Sequence, residues 1–305
     1  FIMNHYPSNV KEKLNSIILS MAEHHWLFSK NPGHDFTRQH LGKLSFYDTM
    51  RLIISMGKGS TNDEIMDYFD LDPDLIPSQS AFCQRRRQIS LSAFEYLFSE
   101  FSSSFPSTTD KFKDHCILAC DGCHVVYATN SDIIEDYNKP RLIDYKGYNH
   151  MHLNGFVDVI SKAFLDVVIQ PGQQPDEREA LHSMLDHFTP DDPQKYIITA
   201  DRGYESYDLL FHCELKNLGY VFRVKSPSSP KSILSYYASE LPDDLEEFDV
   251  TIKRFFTDKA TNIMKSQSDV YRYINPSKNT PHFYELLRKN HSHLYFLQFR
   301  VVKIK

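Results

Sequence analysis

The sequence predicts an α/β protein with a mixed sheet at its centre, helices before it and a β-rich stretch after it. Three observations carry that expectation. Near residue 115 the apolar period changes from helical to alternating. Two apolar runs, 116–121 and 196–201, each deliver an aspartate to a turn containing glycine, Asp121-Gly122 and Asp201-Arg202-Gly203. Between them lie two long alternating runs, 151–160 and 163–170, separated only by Ser161 and Lys162, as in a hairpin.

Residues 1–110 read as an all-helical domain. Ser45 is placed to cap a helix carrying Phe46, Met50, Leu52 and Ile53, which Gly57 and Gly59 stop. Thr61-Asn-Asp-Glu64 has the form of a capping box, and Asp72, Pro73, Asp74 and Pro77 make the turn that follows. Ser80-Ala-Phe-Cys-Gln-Arg-Arg-Arg87 then forms a helix bearing Arg85, Arg86 and Arg87, and a further helix begins at Ser92. A short helix, a turn and an arginine-bearing helix fit a helix-turn-helix that binds DNA, although the turn is longer than usual. They fit a solvated charged face equally well. Residues 102–109 read as a linker.

Residues 111–225 read as strand, strand, strand, helix, strand, helix, strand. The first strand is 116–121, a β-rich piece follows at 124–128, and the hairpin comes next, ended by Pro171 and Gly172. Pro175-Asp-Glu-Arg-Glu179 opens a helix with acids in its first turn, where the helix dipole favours them. Strand 196–200, a helix around Leu209 to Leu215 and strand 220–224 complete the series. Antiparallel strands followed by parallel αβ units describe a ribonuclease-H-like mixed sheet. In that topology the first strand and strand 196–200 lie side by side, so Asp121 and Asp201 reach one edge. Each aspartate could be a metal ligand, a base or only a helix cap. Residues 226–305 read as a β-rich insertion, with alternation at 248–255 and 293–305.

Composition narrows the setting. At 41% hydrophobic residues the chain can bury a core, and no run nears the ~18 apolar residues of a membrane span. Five irregularly spaced cysteines suit a reducing compartment, hence the cytoplasm. Cys116, Cys120, Cys123 and His124 lack a second pair at zinc-ligand spacing, and His150 and His152 read as polar surface residues. The net charge of −6 argues against a generic nucleic-acid binder. The charge is uneven, however: residues 111–225 carry 12 basic against 18 acidic side chains, and 226–305 carry 12 against 9. An acidic centre that handles phosphate would need divalent cations. The chain opens on Phe1 and stops in mid-pattern at Lys305, as a fragment cut at both ends would.

The ordered stretches Ile117-Leu-Ala-Cys-Asp-Gly122, His152-Leu-Asn-Gly-Phe-Val-Asp-Val159, Ala163-Phe-Leu-Asp-Val-Val-Ile-Gln-Pro-Gly172, Ile197-Ile-Thr-Ala-Asp-Arg-Gly-Tyr204 and Tyr220-Val-Phe-Arg-Val-Lys225 resemble DDE transposases of the bacterial insertion-sequence-four group. The resemblance covers about residues 35–225. It implies a ribonuclease-H-like catalytic core and a triad of two aspartates and a glutamate, with Asp121 and Asp201 in the first two places. It also implies two Mg²⁺ or Mn²⁺ ions, and double-stranded DNA (terminal repeats and target) as partner. Further implications are a homodimer in the synaptic complex, no membrane association and a place at the bacterial nucleoid. Arg202 would sit against a phosphate or in a buried ion pair. The family's third acid belongs to a Tyr, Arg, Glu, Lys signature on a helix after the insertion. This chain lacks a match, so the acid is expected beyond Lys305 and the chain as given is expected to be inactive. Two rival readings stand beside this one. One is a self-contained ribonuclease-H-type nuclease using Glu177 or Glu179; the other is an inactive remnant that only binds DNA.

Overall fold

The computed structural model describes residues 6–37, 43–104, 111–140, 146–277 and 279–305. The chain divides into two compact units, up to Pro106 and from Ser107 onward.

The first unit is helical among its described residues: α1 (Tyr6–Glu23), α2 (Phe46–Ser55), α3 (Thr61–Tyr68), α4 (Gln79–Gln88) and α5 (Leu91–Ser103). Ser45 caps α2 in a full capping box with Asp48. The box expected at Thr61 is displaced by one residue. Ser60 is the cap, accepting from the Asp63 amide, while the longer Glu64 reaches back to the amides of Gly57 and Gly59. Ser78 and Ser90, rather than Ser80 and Ser92, stand at the starts of α4 and α5. Phe36, Phe46, Met50, Ile18, Met21 and Ala93 form the main core, and Leu52, Ile65 and Phe82 a smaller one. Each such large side chain contributes roughly 1.5–3 kcal/mol on burial. The expected linker lies mostly outside the described residues; its first two, Ser102 and Ser103, complete α5.

The second unit holds two sheets. The first contains β1 (Cys116–Tyr127), β2 (Tyr137–Asn138), β3 (Tyr148–Asp158), β4 (Phe164–Pro171), β5 (Tyr196–Ala200) and β6 (Gly219–Phe222). Its order is β2-β3-β1-β5-β6, with β4 also on β3. β3 runs antiparallel to β1 and β4, whereas β1, β5 and β6 are mutually parallel. This is the ribonuclease-H-like arrangement that the sequence predicts. Helices α6 (Glu177–His187) and α7 (Tyr207–Leu215) pack Ala180, Leu181, Met184, Leu185, Leu209 and Cys213 against Leu118, Cys120, Phe156 and Ile198.

One expectation is corrected. Residues 116–121 and 124–128 are not two strands, because β1 continues unbroken through Asp121 to Tyr127. The break in apolar alternation at Asp121 marks the end of pairing with β5. Beyond it β1 is held only by β3, and its side chains are mostly exposed.

The second sheet has the order β8-β7-β9, from β7 (Phe248–Thr257), β8 (Tyr271–Tyr273) and β9 (Leu294–Lys303), accompanied by α8 (Asn262–Ser266) and α9 (Pro281–Lys289). Phe256, Phe283, Leu286 and Leu297 bury against Phe211 of α7. Six consecutive α7 residues, Asp208 to Cys213, are therefore buried, as expected of a helix with neighbours on several sides.

Candidate active site

Two adjacent parallel strands present the aspartates. Cys116 pairs with Tyr196 and the register runs to Cys120 with Ala200; Asp121 and Asp201 are the next residues on each chain. Both are exposed. Each accepts a short-range amide bond that sets its carboxylate, Asp121 Oδ1 from Gly122 N at 2.9 Å and Asp201 Oδ1 from Gly203 N at 2.6 Å.

A third carboxylate enters from α6. A Cβ added at Gly122 would lie 2.9 Å from Glu177 Oε1, and one at Gly203 would lie 3.1 Å from Glu177 Oε2. The two glycines of the aspartate motifs thus flank the Glu177 carboxylate, and hydrogen at both positions is what admits it. A relay of polar contacts places this helix end. Buried Asn154 donates to Gln170 Oε1 (3.2 Å), and the same oxygen accepts from Asp176 N (3.1 Å). Asp176 caps α6 by accepting from the amides of Arg178 and Glu179. Arg178 Nε donates to Gly203 O at 3.2 Å, tying α6 to the turn after Asp201. Glu179 is exposed and joins these contacts only through its backbone amide, which donates to Asp176.

The rest of the Asp201–Glu205 motif is structural. Tyr204 is fully buried, and its hydroxyl accepts from Cys120 Sγ at 3.4 Å. Burial raises the Cys120 thiol to about 12, so it stays protonated at neutral pH. Glu205 is buried and accepts from Lys225 N, Ser232 Oγ and Ile233 N, with Lys225 Nζ at 3.3 Å. Arg202 is exposed, which removes the buried ion pair considered for it; Lys225 Nζ reaches its carbonyl.

His150 and His152 are buried rather than on the surface: Asn138 and Gly172 lie against His150, and Gly122 and Glu177 against His152. Their rings meet that of His124 at 4.6 and 4.8 Å between centroids. His152 Nε2 lies 3.5 Å from Glu177 Oε1, and its Nδ1 has no hydrogen-bond partner among the described residues. Cys116 and Cys120 are buried while Cys123 is exposed, so they do not converge on an ion.

In the helical unit, Arg86 and Arg87 are exposed. Arg85 is partly covered, its guanidinium 5.0 Å above the Phe36 ring and bonded to Gln88. Ten residues separate α3 from α4, a longer connection than a standard helix-turn-helix uses.

The donor types suit a hard divalent cation, being carboxylate oxygens with solvent access; among the described residues the three carboxylates do not all lie within 4.8 Å of one another, so an ion would have to draw them together. The sequence shows Asp121 and Asp201 as the aspartates that close two apolar runs. Glu177 stands out less, since an acid in a helix's first turn has an ordinary dipole explanation. No helix among the described residues is long and apolar enough to cross a membrane. A family model described as a transposase DDE domain matches residues 112–293. No curated protein is similar enough to count as a match.

Proposed function

The chain belongs to the DDE transposase domain family, and from that premise we propose that it cuts DNA at the ends of a mobile element and joins them to target DNA. The observation that carries this reading is the level placement of Asp121 and Asp201 on neighbouring parallel strands. Asp121, Asp201 and Glu177 would hold Mg²⁺ or Mn²⁺, two ions in all. Such ions supply charge stabilisation to the attacking and leaving oxygens of an in-line displacement.

The residues of the chain do the positioning. Asp201 is fixed by the Gly203 amide and Asp121 by the Gly122 amide, so both carboxylates are preorganised. Exposed Arg202 lies next to Asp201 and would take a backbone phosphate, while Arg86 and Arg87 would grip terminal DNA. In the first step a water oxygen bonds to phosphorus and the 3′-oxygen leaves, taking a proton to become a hydroxyl. In the second, that hydroxyl attacks a target phosphodiester and displaces another 3′-oxygen. Joining two ends calls for two copies, hence a homodimer on double-stranded DNA, at the nucleoid in the bacterial cytoplasm.

The seat of Glu177 between Gly122 and Gly203 supports a second reading: the carboxylate set is complete here, as in a ribonuclease-H-type nuclease. On the first reading a further glutamate is required for cleavage. Both are tested by plasmid nicking and end-joining with Mg²⁺ or Mn²⁺, using the 305-residue chain and its D121N, D201N and E177Q variants. Nicking that falls a hundredfold or more in all three variants supports the second reading. An inert chain that still binds Mn²⁺ through its aspartates supports the first. Nicking unchanged in D121N and D201N overturns both.

A further inference from the structure

Three imidazoles from three helices meet away from the carboxylate site: His182 on α6, His212 on α7 and His282 on α9. One ring nitrogen from each lies within 4.8 Å of the others. The rings are nearly parallel, with centroids 3.8 Å apart for His212 and His282, 4.4 Å for His182 and His282, and 5.1 Å for His182 and His212. His212 is buried, and the side chains of His182 and His282 are only 12% and 14% exposed.

The hydrogen bonds show which nitrogens are left over. His282 Nδ1 faces Asp208 Oδ2 at 2.7 Å, and His212 Nε2 faces Asp186 Oδ1 at 3.2 Å. A carboxylate can only accept, so each of those nitrogens carries the proton, and His282 Nε2 and His212 Nδ1 keep lone pairs. His182 Nε2 is 3.6 Å from Asp208 Oδ2, while its Nδ1 meets His212 Nδ1 at 2.9 Å. Each ring therefore has a carboxylate behind one nitrogen and the other nitrogen free for the cluster. That is the usual outer arrangement around metal-bound histidine. Asp208 is itself fixed, its Oδ1 accepting from the amides of His282 and Phe283.

We propose that His182, His212 and His282 form a site for a divalent transition metal, Zn²⁺ by ligand class, that ties α9 to α6 and α7. Zn–N bonds of about 2.0–2.1 Å put tetrahedral ligand nitrogens roughly 3.3–3.5 Å apart. That spacing falls between the 2.9 Å contact and the 4.8 Å limit of the cluster, and because imidazole binds a metal in its own plane, the stacked rings would have to turn out of parallel to converge on the ion. The partial exposure of His182 and His282 leaves a fourth position for water. The ion would clip the second sheet's helix to the ribonuclease-H-like core across chain separations of 30 and 70 residues, which no local motif reveals. This site is independent of the DNA-cleaving reading. A lone N–H···N bond between His182 and His212 would explain the 2.9 Å contact without a metal.

The test uses the 305-residue chain carrying D121N and D201N, so that the carboxylate site contributes no binding, freed of metal by chelation. Co²⁺ titration should give one ion per chain with intense tetrahedral visible absorption, displaced by Zn²⁺. Zn²⁺ at a hundred times its Kd should raise Tm by roughly 5–10 °C. H182Q and H282Q, which alter the partly exposed rings, should each weaken Co²⁺ binding tenfold or more and abolish the Zn²⁺-dependent shift. X-ray absorption at the zinc edge of the parent chain needs no further substitution and should count three imidazoles. No stoichiometric Co²⁺ binding, undiminished binding in H182Q and H282Q, or a shell of oxygens alone would overturn the proposal.

Discussion

Gly122→Ala gives a test whose sign is decided by the structure. In a strand interior, glycine is usually the weaker residue, and alanine would be expected to add roughly 0.5–1 kcal/mol. Here the new methyl would lie 2.4 Å from His152 Cε1, against an ordinary carbon–carbon contact of about 3.5–4.0 Å. The imidazole must move by more than about 1 Å, yet His152 is 3% exposed and its strand is paired on both sides. Overpacking of this kind costs about 1–3 kcal/mol, so Gly122→Ala should lower Tm by roughly 2–12 °C at 2–4 °C per kcal/mol. Glu177 Oε1 lies 2.9 Å from the same methyl, so divalent-ion affinity should fall as well. A double-mutant cycle with His152→Ala isolates the clash. In that background the glycine substitution should become neutral or stabilising. A Gly122→Ala protein that melts at or above the parent temperature, with unchanged Mn²⁺ affinity, would refute the packing described around Glu177.

Three further outcomes follow from the same contacts. Glu205→Gln turns one acceptor oxygen of a buried cluster into a donor, facing either Ser232 and Ile233 or Lys225, and should cost about 1–3 kcal/mol in urea unfolding; an unchanged midpoint would show that Glu205 is not a tie. Arg86→Ala with Arg87→Ala should flatten the salt dependence of DNA binding by about two units of slope, one per phosphate contact. Arg85→Ala should also lower the melting temperature, since that guanidinium packs on Phe36; equal slopes in parent and double variant would remove these arginines from the DNA surface. The Asp136 carboxyl is held below its usual range, first by the Tyr127 hydroxyl and then by the Gly172 amide. A depressed carboxyl stabilises the fold above its unfolded pKa and loses that contribution as pH falls through the folded value. Tyr127→Phe should therefore flatten the acid limb below about pH 4, and an acid titration identical to the parent's would contradict it.

Much of the core was legible because its periods are local. The hairpin of β3 and β4 and the strand at Tyr196 follow from alternation, and the DDE-type motifs place Asp121 and Asp201 on neighbouring strands. The course of β1 was not legible past Asp121. Alternation reports burial, and β1 leaves the buried sheet there while still pairing with β3. His150 and His152 read as surface residues because histidine is polar, whereas the fold brings Asn138 and Gly172 against the one and Gly122 and Glu177 against the other. Glu177 and Glu179 are equivalent candidates in the sequence, two acids in the first turn of one helix, and only the flanking Gly122 and Gly203 single out Glu177. The three clustered histidines carry no sequence signal at all, because three separate helices supply them. In the helical unit, cap positions moved by one or two residues, where neighbouring serines compete for the same helix start.

The central claim is that Asp121 and Asp201, with Glu177, form one divalent-cation site. Mn²⁺ titration of the 305-residue chain, with free ion followed by electron paramagnetic resonance, tests it without requiring activity. The parent should bind Mn²⁺, and D121N, D201N and E177Q should each weaken that binding tenfold or more. A D121N D201N chain that binds Mn²⁺ as the parent does would contradict the account.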